Sequence, residues 1–223
     1  MDIKTIELKK TILEDNDQDA DLLREQLKAD RTYYINVMSS PGSGKTTTLV
    51  STIHQLQKMA DLKIGVMEAD IDSDVDAHTI HDETGVAAVQ LHTGGMCHLD
   101  AEMSRQGLRE IGAKELDLVF LENVGNLVCP AEFDTGAVKN AVILSVPEGD
   151  DKPLKYPLMF KEADVVLVTK IDAMPAFDFD KERFLENLAG CSDRAPVFFV
   201  SGATGEGIEL WCEWLLQEVQ QWQ

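Results

Sequence analysis

The sequence of 223 residues is poor in basic residues and has no long apolar run. It contains 20 Lys and Arg against 40 Asp and Glu, so its formal net charge is −20. A general nucleic-acid-binding protein and a protein that docks on anionic lipid both need basic surface, so neither class fits. No apolar stretch approaches the roughly 18 residues of a membrane span, and the N-terminus lacks the layout of a signal peptide. We therefore expect a cytoplasmic protein that binds neither nucleic acid nor membrane.

Cysteines are also few: Cys97, Cys129, Cys191 and Cys212 are the four in the chain. They are too scattered for the dense disulfide framework of a small secreted domain, and a chain of this length can bury a core without such bridges. We expect reduced thiols, some of them free to bind a soft or borderline metal ion.

The pattern of apolar residues changes near residue 32. Residues 1–31 are polar and acidic and predict an N-terminal helical arm. From residue 32 onward, short β-rich runs alternate with helix-length stretches, which predicts one α/β domain with a mostly parallel β-sheet flanked by helices. The predicted strands are Tyr33–Met38, Lys63–Glu68, Ala87–Leu91, Leu118–Glu122, Asn140–Val146, Asp164–Thr169 and Val197–Val200. The predicted helices include Gly44–Lys58, Leu99–Gly112, Phe179–Leu188 and Gly207–Gln220.

A phosphate-binding loop lies between the first predicted strand and the first predicted helix of this domain. Backbone N–H groups of such a loop and the following helix N-terminus attract phosphates, and a lysine and a threonine complete the site. Lys45 would reach the β- and γ-phosphates and the Thr46 hydroxyl would ligate Mg²⁺. One departure is Ser39, where the strict pattern has glycine. The predicted nucleotide-binding residues are Gly42, Ser43, Gly44, Lys45, Thr46 and Thr47.

Two later segments favour guanine over adenine. Asp172 can accept hydrogen bonds from both N1–H and the 2-amino group of guanine, a donor pair that adenine lacks. The usual guanine motif begins with Asn, whereas this one begins with Thr169; Lys170 can still pack along the base. After the next strand, a tight turn offers backbone N–H groups to the guanine oxygen. The residues predicted to hold GTP or GDP by the base are Thr169, Lys170, Asp172, Ser201, Gly202 and Ala203.

Carboxylates follow two other predicted strands. Glu122 ends a strand three residues before Gly125, the spacing at which such folds place a γ-phosphate sensor. Gly125 is a predicted nucleotide-binding residue, whose N–H would face the γ-phosphate. Glu68–Asp76 adds further carboxylates, from which we select Asp70 and Asp76 for Mg²⁺ binding or water positioning; a solvated, helix-capping cluster is the alternative. The predicted catalytic residues are Lys45, Asp76 and Glu122, and the predicted Mg²⁺ ligands are Thr46, Asp70, Asp76 and Glu122.

A thiol and an imidazole are adjacent at Cys97 and His98, and Cys129 follows the strand that ends at Glu122. Thiolate and imidazole suit one metal ion. If the two preceding strands are neighbours, their ends bring the segments together. Three ligands are too few for a closed site in one subunit, but they suit a transfer site or one completed across a two-fold axis. Buried cysteines and a capping histidine remain the alternative.

Together these segments resemble the hydrogenase nickel-incorporation GTPases of HypB type, in the SIMIBI class of P-loop GTPases. The stretches that carry the resemblance are 39–47, 97–101, 122–130 and 148–157. The resemblance implies a P-loop NTPase fold and a homodimer when GTP is bound. It also implies Ni²⁺ or Zn²⁺ binding by Cys97, His98 and Cys129 at the dimer interface. The implied partners are a small nickel- and zinc-binding hydrogenase accessory protein and the precursor of the hydrogenase large subunit.

The sequence departs from some members of that family in its first 31 residues, which contain neither Cys nor His, so we expect no N-terminal nickel store. We expect a slow regulatory GTPase, because no arginine finger or water-positioning glutamine is assigned. Three alternatives remain: a metabolic P-loop kinase or ATPase, a metal-storage module with a vestigial nucleotide site, and a urease nickel GTPase. The last would be expected to carry a Cys-Pro-His segment, which this sequence lacks.

Overall fold

Seven strands form one sheet in which every pairing is parallel, in the order β3-β2-β4-β1-β5-β6-β7. The computed structural model describes residues 8–70, 74–192 and 194–223. β1, β4 and β6 are buried along their whole length, as expected for parallel strands covered on both faces. The strands are β1 Tyr33–Ser39, β2 Ile64–Asp70, β3 Ala87–His92, β4 Leu118–Glu122, β5 Lys139–Ser145, β6 Val165–Thr169 and β7 Val197–Phe199.

Helices cover both faces of the sheet. Their bounds are α1 Leu8–Asp30, α2 Lys45–Met59, α3 Val75–Thr84, α4 Ala101–Glu110, α5 Lys152–Lys155, α6 Pro157–Lys161, α7 Lys181–Ala189 and α8 Ile208–Trp222. Short 3-10 turns lie at 113–115, 129–131, 146–148 and 171–176. On one face α2 and α8 pack through residues such as Ile53 and Leu215, and on the other α1, α4, α6 and α7 pack. The predicted α/β class with a parallel sheet is confirmed, and the predicted strands end within two residues of the observed ones.

One expectation about strand order is wrong. The strands before the Cys97 and Cys129 segments, β3 and β4, are not neighbours, because β2 lies between them and pairs with both. Strand order depends on how each crossover helix returns to the sheet, and the strand–helix alternation in the sequence does not encode it. The two segments still meet, because the chain after β3 and the chain after β4 both continue past the carboxyl edge of the sheet.

Helix α1 packs into the core of the domain. Leu23 and Leu27 are buried against Tyr34 and Leu121 from the sheet. Helix α1 is the described part of the predicted arm, and residues 1–7 lie outside the described residues. The division into an arm at 1–31 and a domain at 32–223 stays a prediction.

Within the described residues, no helix combines the length and the apolar character that crossing a bilayer requires.

The turn between β7 and α8 depends on glycine at one position. Gly207 has φ +75°, and a Cβ there would lie 2.1 Å from the carbonyl oxygen of Phe199. Gly205 in the same turn has φ +81°, but among the described atoms none lies within 4 Å of a Cβ placed there. The two glycines share a backbone conformation and differ in steric surroundings.

We expect Gly205→Ala to lower the free energy of unfolding by about 1 kcal/mol, the cost of a left-handed alanine. Gly207→Ala should cost at least about 2 kcal/mol more, because the Phe199 carbonyl must move. Guanidinium denaturation of the two variants measures the difference. Equal losses would contradict the steric role of Gly207.

Candidate nucleotide-binding and metal site

The phosphate loop occupies the turn between β1 and α2. Gly42 and Gly44 have φ values of +71° and +90°, conformations that side chains with a Cβ rarely adopt. These glycines let the loop wrap tightly before α2 begins at Lys45. The loop backbone and the α2 N-terminus therefore form the anion-binding geometry that the sequence predicts.

Ser39, which replaces the usual glycine, is accommodated by its hydroxyl group. Its Oγ donates to the carbonyl of Ser40 at 2.8 Å and accepts from Ser43 Oγ at 2.6 Å and from Lys45 Nζ at 3.0 Å. One donor and two acceptor positions are thus all used. The described residues with positive φ other than glycine are Arg31 and Lys170, so the backbone at residue 39 does not require glycine.

The neighbouring Ser40 connects the loop to a distant segment. Its hydroxyl donates to the carboxylate of Glu148, which also accepts from the backbone N–H and the hydroxyl of Ser145, each at 2.8 Å. Glu148 was not among the predicted site residues. No local signal points to it, because its partner lies 108 positions earlier in the chain.

Glu122 is held at the phosphate loop by Thr46. The Thr46 hydroxyl donates to Glu122 Oε1 at 2.8 Å, and Glu122 is buried. Among the described residues, its Oε2 has no hydrogen-bond partner. Burial raises the pKa of Glu122 to about 7, although Lys45 and the Thr46 hydrogen bond oppose the shift. A buried carboxylate oxygen without a partner is what a bound cation would satisfy.

A second buried carboxylate stands beside it. Glu68 on β2 is the register partner of Glu122 on β4, and its Oε2 also has no hydrogen-bond partner in the described structure. Burial raises the pKa of Glu68 to about 8, with a further contribution from the charge of Glu122. Glu68 was noted in the acidic run but not selected. The sequence feature that could have identified Glu68 is an acidic residue within an otherwise mostly apolar predicted strand.

Asp70 and Asp76 interact electrostatically with Glu68 and Glu122. The four carboxylates do not converge: no three His, Cys, Asp or Glu side chains of the described chain form a group able to hold a metal ion. Mg²⁺ needs only one or two carboxylates beside phosphate oxygens and water, so Glu122 with Thr46 fits that ion. Residues 71–73, within the predicted acidic segment, lie outside the described residues.

The turn after β4 approaches the phosphate loop closely. A Cβ at Gly125 would lie 3.1 Å from Pro41, so glycine allows the two backbones to meet. Asn123 fixes the turn: its backbone N–H donates to Val37 at 3.0 Å and its side chain donates to Asn36 at 2.9 Å. The structure therefore brings Gly125 to the loop, as its predicted role requires.

All six residues predicted to contact the base line one cavity of about 250 Å³ that also includes Gly44 and Thr47. Asp172 Oδ1 accepts from Ser201 Oγ at 2.6 Å, which orients the carboxylate. Gly202 lies against α2, where a Cβ would be 2.9 Å from the Thr47 carbonyl oxygen. The residues of this cavity are Gly44, Thr47, Thr48, Thr169, Lys170, Asp172, Ala173, Ser201, Gly202 and Ala203.

Thr169 and Lys170 tie the base cavity to the phosphate loop. Thr169 Oγ1 donates to the carbonyl of Ser43 at 2.7 Å, and Lys170 Nζ donates to the carbonyl of Gly42 at 2.7 Å. Thr169 thus makes a contact with the loop from the position where asparagine is usual. The side chain of Lys170 lies across the loop, where its stem can cover a base.

The Cys97–His98 segment and the Cys129 segment are in contact. A hydrogen bond with Cys97 and burial raise the pKa of the Cys129 thiol, and Asn126 Nδ2 lies 3.6 Å from Cys129 Sγ. Cys97 Sγ lies 4.0 Å from His98 Nδ1. The His98 ring stacks on Phe133, with ring centroids 3.7 Å apart, a contact that the sequence did not predict. Both thiols are half-buried, and so is His98.

Comparison with known proteins identifies the family of the chain. Residues 33–199 match the family model described as "CobW/HypB/UreG, nucleotide-binding domain". The chain is 45% identical over 209 residues to the hydrogenase/urease maturation factor HypB of Helicobacter hepaticus, covering 92% of this chain and 84% of that protein. It is 42% identical over 212 residues to the hydrogenase maturation factor HypB of Rhizobium leguminosarum, covering 95% of this chain and 70% of that protein.

Solved structures show the same fold. The crystal structure of HypB from Helicobacter pylori in complex with nickel superposes with a TM-score of 0.85 at 39% identity, covering 93% of this chain and 96% of that one. The hydrogenase maturation factor HypB of Archaeoglobus fulgidus gives 0.84 at 34% identity, covering 93% and 100%. The signal recognition particle receptor FtsY of Elizabethkingia anophelis, at 17% identity, a TM-score of 0.59 and coverage of 85% and 68%, shares the fold alone.

The family model covers most of the chain, the two curated relatives named above are 45% and 42% identical to it, and the phosphate loop has the geometry that a nucleotide-binding domain needs. The predicted P-loop fold and the predicted resemblance are confirmed. The chain belongs to the HypB group of the CobW/HypB/UreG family of nucleotide-binding proteins.

Proposed function

We propose that this protein is a slow GTPase that assists nickel insertion into [NiFe]-hydrogenase. The proposal rests on one observation: the chain segment that begins with β4 reaches both the phosphate loop and the thiols. β4 delivers Glu122 to Thr46 of the phosphate loop, and seven residues later the same segment places Cys129 against Cys97. A conformational change at Glu122 that depends on the bound nucleotide could therefore reach Cys129 through a short stretch of chain. Nucleotide state can then bias metal binding, provided that the two states differ in affinity for the metal.

Guanine selectivity follows from Asp172. Its carboxylate lies in the base cavity, oriented by Ser201, and faces no basic partner in any ion pair of the described structure. Guanine supplies two N–H donors to such a group, whereas adenine would leave the charge unsatisfied. This supports GTP and GDP as the ligands and disfavours the alternative of a metabolic kinase or ATPase.

Hydrolysis would use the residues at the carboxyl edge of β1, β2 and β4. Lys45 would neutralise the γ-phosphate, while Thr46 and Glu122 would hold Mg²⁺ and Asp70 or Asp76 would bind it through water or position the attacking water. When bound, Mg²⁺ would supply positive charge that stabilises the phosphates during hydrolysis. No residue is assigned as an arginine finger, so turnover should be slow.

Nickel is the proposed cargo, held by Cys97, His98 and Cys129, with Zn²⁺ as the competing ion. Two thiols and an adjacent imidazole are donors that either ion accepts, and among the described residues of one chain they do not form a complete metal-binding group by themselves. A homodimer formed with GTP would bring two such sets together and complete the coordination. The Helicobacter pylori relative was crystallised in complex with nickel, which supports nickel binding in this group.

The proposed partners are a small nickel- and zinc-binding accessory protein and the precursor of the hydrogenase large subunit, in the cytoplasm. Urease is a second candidate target, because the Helicobacter hepaticus relative is a hydrogenase/urease maturation factor. A storage module with a vestigial nucleotide site is disfavoured by the intact contacts of Lys45 and Thr46.

The base assignment predicts a change of specificity in Asp172→Asn. The amide cannot accept both guanine donors, so we expect GTP affinity to fall by about 100-fold or more. Xanthine nucleotides, whose C2 carbonyl accepts from an amide, should bind better than GTP. Calorimetric titration of GTP, XTP and ATP measures this, with exposed Asp178→Asn as the control. Unchanged GTP affinity, or wild-type protein that prefers ATP, would contradict the assignment.

The buried carboxylates predict a pH-dependent stability in the absence of nucleotide and Mg²⁺. The pKa of Glu68 is raised from 4.5 to about 8, so the stability that its protonated form contributes is present below about pH 4.5 and is lost as the pH rises through about 8. Glu68→Gln cannot ionise, so its stability relative to wild type should increase by about 2–4 kcal/mol between about pH 5 and 8. Urea unfolding across this range tests it. The exposed Glu213→Gln variant on α8 is the control, and identical pH profiles for the two variants would refute the prediction.

The proposed metal site predicts which cysteines are required for Ni²⁺ binding. Cys97→Ala and Cys129→Ala should each weaken Ni²⁺ binding by about 100-fold, since each removes a direct ligand. Cys191→Ala removes a half-buried thiol that hydrogen-bonds to the carbonyls of Pro153 and Asn187 and not to the proposed ligands, so it should leave affinity within about twofold. Competition with a chelator, on protein without an affinity tag, measures these constants. Equal affinity in all variants would place the nickel elsewhere.

A further inference from the structure

Asn16 on α1 hydrogen-bonds to both of the chain segments that carry the predicted metal ligands. Its Nδ2 donates to the backbone carbonyl of Asp134 at 2.9 Å, and its Oδ1 accepts from the backbone N–H of Ala101 at 2.9 Å. Ala101 is the first residue of α4, three positions after His98, and Asp134 lies five positions after Cys129. One side chain thus joins the segment that carries Cys97 and His98 to the segment that carries Cys129.

The Asn16 side chain is buried, and both the nitrogen and the oxygen of its amide form hydrogen bonds. Asn16 is 9% exposed, so its donor and acceptor meet protein rather than water. The α4 N-terminus has no intrahelical partner for the Ala101 N–H, and Asn16 provides one. Removing the amide would leave a buried N–H and a partly buried carbonyl without their partner, and each loss is costly.

Other contacts hold the same loop to α1. Arg24 Nη2 donates to both carboxylate oxygens of Asp134, at 2.5 and 2.6 Å, and Arg24 Nε donates to the carbonyl of Ala137 at 2.8 Å. Phe133, next to Asp134, carries the ring that stacks on His98. The position of the loop relative to α1 therefore sets the position of the His98 ring as well as that of Cys129.

We propose that Asn16 is a positioning residue for the metal site: it sets the separation of Cys97 and His98 from Cys129 by clamping the start of α4 to the loop that follows Cys129. This rests on the proposed nickel site. Groups that orient metal ligands typically change metal affinity by about ten- to one-hundredfold when removed, without touching the ion. Asn16 contacts no ligand side chain itself, so its effect should lie at the lower end of that range.

The test compares Asn16→Ala with Leu27→Ala, a buried residue of the same helix whose apolar side chain forms no hydrogen bond to either segment of the site. Both variants lose stability, so the comparison separates a general loss from a specific one. Nickel affinity by chelator competition and the thiolate-to-nickel charge-transfer absorption are measured under conditions where circular dichroism shows each variant folded. We expect Asn16→Ala to bind nickel about tenfold more weakly with an altered absorption spectrum, and Leu27→Ala to match wild type within about twofold.

Wild-type affinity and spectrum in Asn16→Ala, or an equal change in Leu27→Ala, would overturn the positioning role. Cys97→Ala, measured in parallel, distinguishes this from failure of the nickel site itself. If Cys97→Ala binds nickel normally, the proposed site is wrong and the role of Asn16 falls with it. If Cys97→Ala loses binding while Asn16→Ala keeps it, the positioning role alone is wrong.

Discussion

The parallel pairing of β1 with β4 is the interaction on which the rest of the site depends. It places Val37 opposite Glu122, and the ladder continues as Asn123 donates to the Val37 carbonyl. Because β1 and β4 are parallel, both strands end at the same edge of the sheet. The phosphate loop after β1 and the segment after β4 therefore begin side by side. The Thr46–Glu122 hydrogen bond and the contact of Gly125 with Pro41 follow from that register.

The neighbouring pairing of β2 with β4 places two acidic side chains where the protein can least solvate their charge. Glu68 and Glu122 are buried, in register and without partners on one oxygen each among the described residues. Lys45 opposes the effect at Glu122 but does not cancel it. A divalent cation held with phosphate by Thr46 and Glu122 would offset this repulsion, since a nearby positive charge favours the ionised form of both carboxyl groups. The acidic character of the chain is thus partly a local property of the nucleotide site.

Much of the fold was predictable because parallel strands covered on both faces are continuous apolar runs. The phosphate loop and the base cavity were predictable because glycine conformations, a lysine and a carboxylate recur at fixed spacing along the chain. Strand order was not, and β2 separates the two strands expected to be neighbours. Glu148, Phe133 and Asn16 escaped prediction because their partners are distant in sequence: Ser40, His98 and Ala101 are brought to them only by tertiary packing. Glu68 was visible as a charge inside an apolar strand, but its importance depends on its register with Glu122.

We propose that the segment between Glu122 and Cys129 couples nucleotide state to metal binding. The direct measurement is the Ni²⁺ dissociation constant of the wild-type protein with Mg²⁺–GDP and with Mg²⁺ and a non-hydrolysable GTP analogue, at a fixed protein concentration with mass followed by sedimentation. We expect the two constants to differ by about fivefold or more, the range of ordinary coupling free energies, and the mass to rise with the analogue. Equal constants and equal mass in the two states would contradict it.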